Sequence, residues 1–352
     1  MVQKKVMIAR PTFFGSIAAA EPLTNRARTT AAVSFAAREL MYFDERNILS
    51  QHRALIEDAV RTNAFAEAIR RVVRAGDVVL DLGSGSGVLA ILACRAGARK
   101  VFAVERGHIA DVAAMLVADN GCADRVEVLH ARSQEVELPE RANVLITETL
   151  GNLGFDEQIV PSVLDARQRL LTVDARLIPS SVSLFAAPVD AARAHEREVA
   201  FWSTPRYGID FSLVRTFAAN QLRIIDIDDV LAPAAQLVQI DLATAQSPSV
   251  SGSARFTIAR DAVMHGFAGW FDATLAEDIR VSNEPPLRTP NWRQALLPLD
   301  DGVAVARGDE ITLQVESSDG VNWRWRGSIS GKAFDQTTLF GFAPCRAYTP
   351  PP

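Results

Sequence analysis

The chain has 352 residues, 48% of them hydrophobic and 22% charged, with a formal net charge of −5 at pH 7. That length exceeds what one undivided core organises easily, so two domains are expected, and the mild negative charge excludes the basic footprint of a nucleic-acid or anionic-membrane binder. No stretch reaches the roughly 18–20 apolar residues of a membrane span, and Cys94, Cys122 and Cys345 have neither metal-ligand nor disulfide spacing, so a metal-free chain in the reducing cytoplasm is expected.

Residues 1–40 are irregular and rich in Ala and Thr, which predicts a leading extension; Arg10 and Pro11 interrupt the apolar run after Lys4 and Lys5 too early for a signal peptide. From Ala54 to Arg74, Leu55, Ile56, Ala59, Val60, Phe65, Ile69, Val72 and Val73 follow a helical period. Asp77–Asp81 reads as a strand, followed by the glycine loop Gly83, Gly85, Gly87 and a helix over Val88–Ala96. Strands at Val101–Glu105, Val126–His130 and Val144–Thr147 alternate with helices at about 108–119 and 155–171. Such alternation predicts an α/β fold: a Rossmann-like parallel-sheet domain over 41–178. After Leu177-Ile178-Pro179 the period becomes two, in Leu237–Ala243, Ala254–Ala259, Gly266–Leu275, Ile311–Ser317 and Trp323–Ser330. All five tryptophans lie in this half, which predicts an antiparallel, β-barrel-like domain over 179–352. A helical excursion at about 191–220 is too long for a hairpin loop.

The glycine loop follows a strand and opens a helix, the arrangement that brings backbone N–H groups against a ligand. Its spacing is GxGxG rather than the GxGxxG that cradles a dinucleotide pyrophosphate. Asp81 at the strand end offers an acceptor for an ammonium group. Glu105, ending the next strand, is placed to accept two ribose hydroxyls, a feature that fits NAD equally well; the combination favours S-adenosylmethionine. Gln134, after the third strand, is the expected adenine contact, with a solvated turn as the alternative.

Glu148 ends the fourth strand, and Gly151 and Gly154 allow the chain to reverse so that Glu157 returns toward it. Two carboxylates brought that close repel and raise one another's pKa, and a planar guanidinium between them resolves the repulsion bidentately. Two solvated acids on a loop remain the alternative from this segment alone.

Together these segments resemble the protein arginine N-methyltransferase family, in what reads as a bacterial-type member, from Tyr42 onward. Tyr42-Phe43-Asp44 is similar to the family's cofactor lid, and Leu55–Thr62 to the helix whose arginine, here Arg61, grips the cofactor carboxylate. The intervening spacing places His52 on a cofactor-contacting histidine. Val79–Gly87, Glu105, Gln134–Pro139, the Glu148–Glu157 pair, Gly266–Asp272 and Asn291-Trp292-Arg293-Gln294 follow in order. The resemblance implies S-adenosylmethionine as cofactor and S-adenosylhomocysteine as product, with Glu148 and Glu157 catalytic. It also implies that Tyr42, Asn291 and Trp292 line the acceptor side, that Pro179 is cis, and that the excursion, with Phe201, Trp202, Tyr207 and Phe211, is a dimerisation arm for a homodimer.

Four departures bear on the acceptor: Asn291 replaces a histidine whose usual partner is Asp58, Arg46 replaces the second lid tyrosine, and Thr149 and Asn152 replace bulky aromatics. Asparagine can still bond Asp58, and Thr149 and Asn152 can bond the polar ends of a small substrate. The expected acceptor is therefore free L-arginine or a small arginine-containing metabolite or peptide of specialised metabolism, with a general protein arginine N-methyltransferase as the alternative. Further alternatives are a methyltransferase of another small acceptor, an NAD-dependent dehydrogenase and a non-catalytic dimeric interaction module.

Overall fold

The computed structural model describes residues 48–227, 229–286 and 291–339. The expected contacts of Tyr42 and Phe43, the substituted Arg46 and the extension over 1–40 lie outside the described residues. The described chain enters through α1 (Ile48–Glu57) and α2 (Ala59–Val72). The sequence period joins these into one helix; the break falls at Asp58, whose Oδ1 accepts the Arg61 N–H at 3.0 Å as the N-cap of α2.

A parallel sheet follows, in the order β3-β2-β1-β4-β5: β1 Val78–Leu82, β2 Lys100–Glu105, β3 Val126–His130, β4 Ala142–Thr147 and β5 Leu171–Ile178. All five residues of β1 are buried, as a central strand covered on both faces requires. The crossovers are α3 (Val88–Arg95), α4 (Ile109–Asp119) and α5 (Ile159–Arg169). α5 begins four residues later than the period predicts because the preceding segment is a knotted turn. Asp156 accepts the amides of Asn152 and Leu153 at 3.2 and 2.8 Å, and Gly151 and Gly154 sit at φ +64° and +80°, where a side chain would be strained.

The Ile178–Pro179 peptide is cis, as the resemblance implied. From there every strand pairs antiparallel. One sheet runs β7-β12-β10-β6-β8, with β11 on β10: β6 Ser181–Val189, β7 Arg223–Ile225, β8 Ala235–Asp241, β10 Ala262–Ala276, β11 Ile279–Ser282 and β12 Gln294–Val305. The other runs β15-β14-β13-β9: β9 Val250–Thr257, β13 Glu310–Ser317, β14 Arg324–Ile329 and β15 Lys332–Thr337. The rings of Phe256, Phe267 and Phe334 meet at 5.6–6.0 Å between them. β12 escapes the period-two reading because its first six residues are all buried, so nothing alternates. One apolar core runs from the parallel sheet through Leu150, Leu153 and Phe155 into Val182 and Phe271.

The excursion folds as α6 (Ala192–Glu198), a 3-10 turn (Ala200–Ser203) and α7 (Ser212–Ala218). Trp202 packs edge-on against Phe201 and Phe211 at 5.1 and 6.1 Å, while Tyr207 is 97% exposed and Leu213 73%. Among the described residues, no helix is long and apolar enough to cross a membrane.

Candidate active site

The strand order reverses at β1, which lies between β2 and β4, and ligands of open α/β sheets bind outside the carboxyl ends of strands at such a point. The amides of Gly83 and Ser84 both donate to the Val104 carbonyl at 3.0 Å, turning the chain off β1. Gly83, Gly85 and Gly87 all have positive φ. A Cβ on Gly85 would stand 2.7 Å from Cε1 of His52, so the loop lies directly under that ring. His52 is buried, and burial pushes its pKa below the usual imidazole value, so it is neutral at pH 7.

Asp81 is fully buried, and neither carboxylate oxygen has a hydrogen-bond partner. Burial raises its pKa to about 7, against a partial pull from the Ala90 amide. A buried carboxylate left this way is completed by a cationic donor. Glu105 is already fixed: Oε2 accepts from Gly85 N at 3.0 Å and Oε1 from Gly107 N at 2.7 Å. Each oxygen retains a lone pair, enough for two vicinal hydroxyls. Ser84 Oγ is a second buried polar atom without a partner. This donor set fits S-adenosylmethionine: an anion for its ammonium, a fixed carboxylate for its ribose, and a backbone turn that only glycine permits. Gln134 stands exposed on a 3-10 turn (Ser133–Glu135) and makes no hydrogen bond among the described residues.

On the opposite side of β1, Glu148 follows β4 directly. Arg61 Nε donates to its Oε2 at 2.7 Å, and Nη2 donates to the same oxygen. The third guanidinium nitrogen, Nη1, donates to the Leu55 carbonyl at 3.0 Å, and the rings of Phe65 and Trp292 lie 6.0 Å away. Burial raises the Glu148 pKa and the Arg61 charge counters it. Glu157 is pushed up to about 8 by burial, then by Glu148 and Asp156, although part of its surface still faces solvent. It makes no hydrogen bond or ion pair among the described residues. Trp292 is buried, edge-on to Phe271 at 5.0 Å. The fold thus gathers His52, Arg61, Asp81, Glu105, Glu148 and Glu157 into one electrostatic cluster.

Two family models match the chain: one described as the ribosomal protein L11 methyltransferase over residues 60–167, and one described as the arginine methyltransferase oligomerization subdomain over 180–330. Protein arginine N-methyltransferase 6 of Danio rerio is 33% identical over 294 residues, spanning 79% of this chain and 84% of that protein. The chain belongs to the protein arginine N-methyltransferase family. It is accordingly an S-adenosylmethionine-dependent N-methyltransferase of the arginine guanidino group. Protein arginine N-methyltransferase 2 of Xenopus tropicalis is 28% identical over 307 residues, 82% of this chain and 71% of that protein. Among solved structures, the PRMT1 enzyme–prozyme heterotetrameric complex of Trypanosoma brucei with AdoHcy superposes with a TM-score of 0.73 at 23% identity, covering 81% and 96% of the two chains, a likeness of fold. The relatives named here are eukaryotic, so the expected bacterial type finds no support in them.

Within this arginine methyltransferase, two of the residues that depart from the family pattern, Asn152 and Thr149, make contacts inside the protein. Asn152 Oδ1 accepts the Arg293 amide at 3.0 Å, and Thr149 Oγ1 lies 3.1 Å from that of Thr147. These bonds engage one side-chain atom of each residue and leave Asn152 Nδ2 without a partner among the described residues. Asn291 does not bond Asp58: the Asp58 Oδ2 has no partner, its Oδ1 is committed to capping α2, and Asn291 makes no hydrogen bond among the described residues. Asn283 went unnoticed in the sequence. Fully buried, it accepts the Phe271 amide at 2.8 Å and donates to the carbonyls of Asn152 (2.9 Å) and Arg293 (2.7 Å), tying the double-glutamate loop to β10 and to the chain entering β12. No periodicity marks such a residue. The cap by Asp156 was legible, as an Asx residue beside two glycines.

Proposed function

We propose that the acceptor is arginine within proteins or peptides, and that Glu148 and Glu157 are the catalytic carboxylates. This is the alternative reading of the sequence, and it displaces free L-arginine. It is supported by the relatives, which are named as protein arginine N-methyltransferases. The observation that carries the assignment is the asymmetry of the pair: Glu148 is held by Arg61, whereas Glu157 is left without a partner among the described residues, above its usual pKa. A guanidinium entering beside Glu157 supplies the missing cation, and Glu157 gives up its proton as the ion pair forms.

S-adenosylmethionine supplies an electrophilic sulfonium methyl when bound. Asp81 would hold its ammonium and Glu105 its ribose, with Gly83, Gly85, Gly87 and His52 shaping the loop against it and Gln134 offered to the adenine. Arg61 would hold the cofactor carboxylate while remaining on Glu148. The carboxylates align one guanidino nitrogen with the methyl and draw positive charge onto the nitrogens they contact, so the free nitrogen becomes the better nucleophile. Alignment of this kind contributes on the order of 7–11 kcal/mol at best, and the carboxylates stabilise the doubly cationic state that transfer creates. Cofactor binding and the two carboxylates belong to residues 41–178, and the domain over 179–352 adds Asn291 and Trp292 to the acceptor side. The exposed Tyr207, Ile209 and Leu213 of the excursion cover a second copy in a homodimer; a monomer by light scattering at micromolar concentration removes that part. The acceptor is tested by kcat/KM for an arginine-rich peptide against free arginine. An advantage of about tenfold or more for the peptide, ~1.4 kcal/mol, is expected, and equal or better use of free arginine overturns the reading.

A further inference from the structure

A second cluster of chemically competent side chains lies outside this site. His108 is the residue before α4, Asp111 stands three residues on, one helical turn along the same face, and His130 is the last residue of β3. Their ligand atoms all lie within 4.8 Å of one another, and all three residues are exposed. The two imidazole rings meet edge-on, centroids 5.5 Å apart, and Nδ1 of His130 is 3.9 Å from Oδ1 of Asp111, too far for a hydrogen bond.

We propose that His108, Asp111 and His130 bind a borderline divalent transition cation, zinc foremost. Two imidazoles and one carboxylate are the donor set such ions take, leaving a fourth position to water. Calcium and magnesium prefer all-oxygen shells and are poorly served by two nitrogens. With bonds of about 2.0–2.2 Å, tetrahedral donors stand roughly 3.3–3.6 Å apart. The observed spacing therefore closes by about an ångström, which exposed side chains achieve by small rotations. The supports are rigid: β3 is hydrogen-bonded along its length to β2, with Glu105 opposite His130, and α4 packs on both strands. The N-terminal end of α4 carries positive partial charge and opposes a cation; Asp111 offsets this, so the affinity is micromolar rather than tighter. None of the three ligands is a residue assigned to the cofactor, although Glu105, opposite His130 in the sheet, borders the cluster.

Zinc chloride titrated calorimetrically into the full-length chain, free of any polyhistidine tag, tests this. One micromolar site is expected, weakened by about tenfold or more in His108→Gln and in His130→Gln, unchanged in His265→Gln, and not reproduced by magnesium. Thermal melts without zinc show whether each variant is folded; Asp111→Asn provides the same comparison should a histidine variant melt early. Absence of binding up to millimolar zinc overturns the proposal. So does full zinc affinity in the His108→Gln/His130→Gln double variant, which places the ion on other ligands such as the thiols.

Discussion

On the cofactor side of the site, Asp81 and Glu105 project from the carboxyl ends of β1 and β2, and their positions follow from strand pairing and the glycine turn alone. On the acceptor side, Glu148 also leaves a strand, but Glu157 sits past a loop that is shaped by Asp156 and anchored through Asn152 and Asn283 to the antiparallel half. One side is a local code; the other is assembled from residues more than a hundred positions apart. Substitutions on the first side should therefore act on binding, and those on the second on turnover.

The largest expected effect separates the two sides outright. Glu148→Gln and Glu157→Gln keep shape but remove the charge that orients guanidinium, and each should lower kcat by about 10²–10³ on an arginine-rich peptide. S-adenosylhomocysteine affinity by calorimetry should stay within a few-fold in Glu157→Gln. Near wild-type turnover in both variants would sink the catalytic assignment. Glu105→Ala is the mirror test: it removes a charged acceptor worth roughly 1.5–3 kcal/mol, so S-adenosylhomocysteine should bind about ten- to a hundredfold more weakly. Unchanged affinity would place the ribose elsewhere.

How much was legible follows the same division. Asp81, Glu105 and the glycine loop could be read because strand end, turn and helix start are contiguous, and β3 matches its expected span residue for residue. Arg61 was read as a cofactor clamp, yet its ion pair with Glu148, 87 positions away, has no local signature. The same holds for Asn283, whose partners come from three segments. The partners of Thr149 and Asn152 are hidden for a related reason: a small polar residue in a loop carries no local sign of its tertiary contacts.

A smaller effect tests the electrostatics of both sides together. The folded-state pKa values of Asp81 and Glu157 are raised, to about 7 and about 8, so the folded chain binds more protons than the unfolded one above the ordinary carboxylate range. Stability from these two groups is fully present below their unfolded pKa values and is lost as pH rises through about 7 to 8. His52 and His265, whose pKa values are lowered, act in the opposite sense, but their contribution is already complete above the ordinary 6.5. The melting temperature of the chain without cofactor should fall by a few degrees across that window, and less in Asp81→Asn. An identical slope in wild type and Asp81→Asn would show that Asp81 is not the titrating group.

The smallest effect probes the tether between the two sides. Asn152 Oδ1 holds the Arg293 amide at 3.0 Å, on a part of the surface that water reaches. Removing the side chain leaves that amide to solvent rather than orphaned in the core, so the cost is that of an ordinary hydrogen bond, about 0.5–1.5 kcal/mol, and not the penalty of a buried unsatisfied donor. Asn152→Ala should therefore loosen the loop that carries Glu157 and reduce kcat by about two- to tenfold, with S-adenosylhomocysteine affinity and the preference for peptide over free arginine unchanged. Asn283 bonds the Asn152 backbone carbonyl, not its side chain, so that second anchor survives the substitution and limits the loss. A shift in peptide preference of more than about tenfold would mean that Asn152 reaches the acceptor itself, and the tether would then be secondary to recognition.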